Sequence, residues 1–131
     1  IFFGVLDLSS GVLRYCNAGH NPPYLLRAEG GHDTLGLTGI PFGIDPEMPY
    51  RIDETMLHPG DTLFLFSDGI TEAFDIDGAE FGTARLEAAL AAGRGGSAAE
   101  LVAGVLGATA AFAAGADQSD DITCLALVLQ P

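Results

Sequence analysis

The sequence predicts an α+β fold: a mostly antiparallel sheet with helices packed on at least one face. Three observations carry that reading. Short apolar runs separated by turn chemistry fill the first two thirds of the chain, helical spacing replaces them from Gly82 onward, and a final apolar run over residues 122–129 returns to strand character. Residues 2–8 are apolar and end at Ser9-Ser10-Gly11, and residues 12–16 follow, so the pair reads as an antiparallel hairpin. The segment 17–23 is a loop, because Pro22 and Pro23 cannot continue a ladder. Residues 24–28 form a short strand, and residues 29–33 a polar turn containing glycine. Residues 51–57 alternate polar with apolar, the pattern of a half-exposed strand. After the turn Pro59-Gly60-Asp61, residues 62–67 have no polar face, which predicts a strand covered on both sides.

Helical spacing covers residues 82–92 and 97–114. The second helix starts at a capping box, Ser97-x-x-Glu100, carries the stripe Leu101, Val105, Ala108 and Phe112, and meets Gly115 as its stop. The glycine-rich stretch 93–96 joins two helices and does not follow a strand, so it is a linker and not a phosphate cradle. There is no internal repeat, and the whole of residues 1–131 is expected to form one domain.

Composition narrows the function. Eighteen acids face five arginines and no lysine, a formal net charge of −13. A surface this acidic repels nucleic acid and anionic lipid, so neither is an expected partner, and no apolar run has the length of a membrane span. Cys16 and Cys124 lie in separate apolar runs without C-x-x-C spacing, which fits a reduced, cytoplasmic interior better than a zinc cluster or a disulfide framework. The chain opens on a strand-like Ile1-Phe2-Phe3 with no basic leader, as expected of a segment of a longer protein.

The candidate chemistry sits at strand ends. Asp68 follows the apolar run 63–66 and precedes Gly69, which lets the backbone turn or lets another group approach closely. A carboxylate there is costly unless it is hydrogen-bonded, paired or bound to a cation, and no arginine lies within a dozen residues. Two readings are open: a metal ligand, or an aspartate capping the following turn. Asp120 and Asp121 enter the last apolar run from the opposite direction. Adjacent carboxylates suit a hard divalent cation, and a solvated turn is the plainer reading for Asp121. His20, in the loop 17–23, is a weaker candidate for an active-site wall; His32 and His58 sit in polar turns and receive no role. Asp75-x-Asp77-Gly78 has its glycine too early for an EF-hand, and Phe66 stands where a haloacid-dehalogenase-type phosphatase needs its nucleophilic aspartate.

Four stretches, Asn17 to Pro23 (NAGHNPP), Gly39 to Ile44 (GIPFGI), Leu57 to Gly82 (LHPGDTLFLFSDGITEAFDIDGAEFG) and Ser119 to Leu129 (SDDITCLALVL), in that order, resemble the C-terminal part of bacterial metal-dependent serine/threonine protein phosphatases of the stage II sporulation phosphatase E branch. The resemblance implies a sandwich of two antiparallel sheets flanked by helices, here without its N-terminal part. It also implies two Mn²⁺ or Mg²⁺ ions in the complete domain, with Asp68 and Asp120 as catalytic ligands of the same metal; from the residues themselves Asp121 is added as a weaker ligand and Gly69 as part of the active-site wall. The implied reaction is metal-assisted hydrolysis of phosphoserine or phosphothreonine on a regulatory protein such as an anti-sigma-factor antagonist, governed by an upstream sensor or receiver domain. The family's upstream half supplies further metal ligands that this sequence does not contain. The chain alone is therefore expected to be inactive, and its uncovered sheet face to drive self-association into a homo-oligomer. The alternative reading is a non-catalytic regulatory binding domain of the same fold.

Overall fold

The computed structural model describes residues 1–45, 47–118 and 120–130; Pro46, Pro131 and Ser119, the last within the predicted acidic motif, lie outside the described residues. Among the described residues, seven strands and three helices follow in the order β1 (Phe2–Leu6), β2 (Val12–Asn17), β3 (Tyr24–Leu26), β4 (His32–Thr34), β5 (Asp53–Met56), β6 (Thr62–Phe66), α1 (Asp68–Thr71), α2 (Gly82–Ala92), α3 (Ala98–Phe112) and β7 (Cys124–Val128). They build two antiparallel sheets, β1-β2-β5 and β4-β3-β6-β7. This is the predicted sandwich.

Alternation decides which side chains fill it. Leu13 and Tyr15 of β2 point toward the second sheet and pack with Leu25 of β3 and Leu63 of β6, closing the interior between the sheets. The opposite face of the second sheet presents Tyr24, Leu26, Phe64 and Phe66 to the helices, whose Leu86, Leu90, Leu101 and Val105 cover it. Because β6 is buried on both faces, its run lacks a polar side, as expected. Phe64, with no exposed surface, contributes about 2–3 kcal/mol by burial.

Helix α3 has the predicted capping box: Ser97 Oγ accepts from the Glu100 N–H (3.2 Å), and the Glu100 carboxylate accepts from the Ser97 N–H (2.8 Å). Leu101 and Val105 are buried as predicted, with Ala108 and Phe112 packed at the margin of the core.

The segment 29–33 corrects the sequence reading. Gly30 and Gly31, with φ of 119° and 77°, make a tighter turn than expected, and His32–Thr34 pair with β3 as an edge strand. Its polar composition reflects a strand exposed at all three residues. The strand predicted through residue 67 ends at Phe66, because Ser67 becomes the N-cap of α1.

The first sheet leaves its outer face open. Phe3 (64% exposed) and Val5 (57%) of β1 lie there with Met56 of β5. On β7, Leu125 (54%) and Leu127 share a face with Leu65 and Leu63 of β6, yet only the β6 side is well covered by the first sheet.

Candidate functional site

The site is built where β6 ends. Ser67 caps α1 in extended conformation (φ −84°, ψ 158°), and Asp68 is the first helical residue, so the carboxylate predicted at a strand end stands on a turn of helix. Asp68 is exposed, and none of the described residues donates a hydrogen bond to its carboxylate. Its carbonyl accepts from the Thr71 hydroxyl (3.2 Å) and the Glu72 N–H (2.8 Å), which holds the backbone while leaving the side chain free to meet a ligand.

The second acidic segment is stapled to this end. Ser67 N–H donates to the Thr123 carbonyl (2.8 Å), Thr123 N–H donates to Ser67 Oγ (2.9 Å), and Ser67 Oγ donates to the Asp121 carbonyl (3.0 Å). Gly69 is the contact point. A Cβ there would collide with the Asp121 carbonyl oxygen and stand 3.0 Å from the Asp121 carbonyl carbon and 3.5 Å from that of Asp120. The glycine expected to permit close approach permits this one. Asp120 Oδ1 accepts from the Asp121 N–H (2.7 Å), and the Asp120 carbonyl accepts from Gln118 Nε2 (2.8 Å). Both aspartates are exposed.

The structure thus brings Asp68, Asp120 and Asp121 onto two segments in direct backbone contact, although they stand more than fifty residues apart in sequence. Asp121 spends its carbonyl on the staple and its N–H on the Asp120 carboxylate. Among the described residues, no group of three or more His, Cys, Asp or Glu side chains is arranged to hold a metal ion.

His20 also comes to this end. It lines a pocket of about 230 Å³ with Asn21, Phe66, Ser67 and Asp68. Its N–H donates to Oδ1 of the fully buried Asn17 (2.9 Å), and its Nδ1 lies 2.6 Å from the Asn21 carbonyl, an acceptor, which assigns the proton to Nδ1. Gly69 lines a second pocket of about 220 Å³ with Ala73, Leu106, Thr109 and Ile122.

Two polar clusters were not read from the sequence. Asp61, taken only as part of a turn, is 2% exposed and accepts from the Ala28 N–H (2.9 Å), the His58 N–H (3.0 Å) and Arg27 Nη1 (2.9 Å). Burial would raise its carboxyl, but the His58 and Ala28 amides and the Arg27 guanidinium outweigh it and hold the group below the ordinary value of 3.8. Tyr24 OH donates to Glu87 Oε1 (3.0 Å), and His32 Nε2 stands 3.9 Å from the same oxygen. Burial, then the Glu87 carboxylate, push the Tyr24 phenol up to about 12. Neither cluster has a local signal, since each joins segments at least thirty residues apart.

No helix among the described residues is long and apolar enough to cross a membrane. Protein IcfG of Synechocystis sp. is 40% identical over 92 residues, which is 70% of this chain and 14% of that protein. Phosphoserine phosphatase RsbU of Bacillus subtilis is 30% identical over 73 residues, 55% of this chain and 22% of that protein. The chain therefore spans less than a quarter of these two curated relatives. The phosphatase domain of the cell fate determinant SpoIIE from Bacillus subtilis, solved from a Mn-presoaked crystal, superposes with a TM-score of 0.76 at 17% identity, covering 99% of this chain and 56% of that one. That likeness shows the fold. The profile of the family described as Stage II sporulation protein E (SpoIIE) matches residues 1–130, and the chain belongs to that family.

Proposed function

We propose that residues 1–131 form one domain, the C-terminal portion of a metal-dependent protein serine/threonine phosphatase. Its substrate would be a phosphorylated regulatory protein, such as an anti-sigma-factor antagonist, in the cytoplasm, with a sensor or receiver module of the longer protein as a further partner. The observation that carries this reading is the apposition of Asp68 with Asp120 and Asp121 through Gly69, on the end of a strand buried on both faces. Two exposed aspartates on rigidly joined segments fit one side of a divalent-cation site, because a hard cation takes carboxylate oxygens from converging backbones. Asp68 and Asp120 would hold Mn²⁺ or Mg²⁺, Asp121 more weakly, and the ion would supply charge neutralisation and an activated water.

This chain's own residues supply position. The Ser67 staple sets the spacing of the two acidic segments, Gly69 lets them touch, and His20 walls the pocket on which Asp68 opens. With no three-ligand group among the described residues, the 131 residues alone are expected to turn over poorly. That same observation favours, as a second reading, a non-catalytic binding domain of this fold. Calorimetric titration with Mn²⁺ separates the two. Phosphatase action predicts that the full-length protein binds Mn²⁺ and hydrolyses a phosphoserine peptide, and that Asp68→Asn loses both, with turnover reduced at least about hundred-fold. Indistinguishable titrations of the two proteins would sink it.

The open apolar faces at Phe3, Val5 and Leu125 support self-association of the 131-residue chain. Light scattering is expected to show a dimer or larger, and a clean monomer at high concentration would count against it.

A further inference from the structure

The pocket on which Asp68 and His20 open does not end there. A neighbouring pocket, of about 260 Å³, is lined by Asn21, Tyr24, Thr34, Phe66, Thr71 and Thr83. The two share Asn21 and Phe66, so they are parts of one groove leading away from Asp68. Its floor is aromatic: the Tyr24 ring is buried, stacks on Phe66 with centroids 5.8 Å apart, and meets the His32 ring edge-on at 5.0 Å. Its walls come from β4 and α2. Thr34 and His32 lie on one face of β4, opposite Tyr24 and Leu26, while Thr83 and Glu87 stand one turn apart on α2. The groove therefore runs from a carboxylate at Asp68, past hydroxyls at Thr71, Thr34 and Thr83, to Tyr24, whose hydroxyl donates to Glu87 just beyond the lining.

Each part has a chemical consequence. Threonine hydroxyls donate and accept, so they can satisfy either peptide N–H or C=O groups without selecting for charge. Glu87 has one strong hydrogen bond, from Tyr24, and its 43% exposed side chain keeps acceptor capacity facing solvent. A cation arriving there finds an acidic partner within a strongly acidic protein.

We infer that this groove holds the substrate protein as an extended segment, with its phosphorylated residue at the Asp68 end and a lysine or arginine side chain against Glu87. The inference rests on the phosphatase reading and deepens it.

The test uses the full-length protein with Mn²⁺ and two fluorescein-labelled phosphoserine peptides, identical except for arginines or glutamates at the residues flanking the phosphoserine. Anisotropy is expected to show the arginine peptide binding about five-fold more tightly. In Glu87→Gln, which keeps an acceptor for Tyr24, that ratio is expected to fall below about two-fold. Thr83→Arg, at an exposed helix position, is expected to block the groove, weakening both peptides about ten-fold and abolishing the preference. A preference that survives in both variants, or no preference in the unaltered protein, overturns the groove and leaves Tyr24–Glu87–His32 as a contact that only ties α2 to β4. Hydrolysis of both peptides and of p-nitrophenyl phosphate by the unaltered protein alongside that negative result would spare the phosphatase reading. Failure to hydrolyse any of the three would overturn that reading and the named occupant with it.

Discussion

Strand β6 carries an aspartate just before it and another shortly after it, and the two have opposite fates. Asp61 is buried and saturated: two backbone amides and a guanidinium reach its oxygens. Asp68, seven residues later, is exposed and receives nothing from the described residues, although its backbone is pinned. The difference separates a structural carboxylate from an available one. Burying a charge is tolerable only when its lone pairs are filled, so a filled aspartate reports on folding. An aspartate held in place with its oxygens unfilled keeps its coordination capacity for something from outside.

The sharpest way to break this contrast is to truncate Asp61. Asp61→Ala leaves two backbone amides of a buried turn unpaired and removes one partner of the Arg27 guanidinium, which keeps Asp33 and the Met56 carbonyl, and urea denaturation is expected to show a loss of about 3 kcal/mol. The same carboxylate predicts an acid limb. Its folded pKa lies below its unfolded value of 3.8, so its stabilisation is complete above that value and disappears as the pH falls through the folded pKa. Asp61→Asn is expected to flatten that limb relative to the parent; parallel pH profiles would refute the assignment.

Next in size is Gly69→Ala. The added methyl collides with the Asp121 carbonyl, and the two acidic segments must part. A loss of about 2 kcal/mol is expected by thermal unfolding, together with weaker Mn²⁺ binding. Retention of both would mean that the apposition is loose. The smallest effect belongs to Asp68→Asn, which is expected to change stability by no more than about 0.5 kcal/mol while removing the metal response. A large destabilisation there would show that Asp68 is a second structural carboxylate and erase the comparison.

Much of the architecture was legible in local chemistry. The apolar run of β6, the capping box at Ser97 and the glycine stop near residue 115 each state their role within a few residues, because burial on two faces, helix ends and left-handed turns select particular side chains. Strand β4 was not legible. Its three residues are polar and exposed, so they resemble a turn until their pairing with β3 is seen. The candidate site divided the same way. Asp68, Gly69 and Asp120 stood out by their positions beside apolar runs, whereas the saturation of Asp61 and the Tyr24–Glu87–His32 cluster did not.

The sequence by itself determined the antiparallel strands with helices packed on them, the acidic composition, and which aspartates border apolar strands. Only the tertiary structure decided which of those aspartates is consumed by the fold and which is left open, and where the groove beside Asp68 leads. Helix and strand periodicity are written in neighbours three, four or two residues apart. Hydrogen-bond saturation and groove shape depend also on partners that lie more than thirty residues away, such as Arg27 and Ala28 for Asp61 or Glu87 for Tyr24, and the chain meets them only after it has folded.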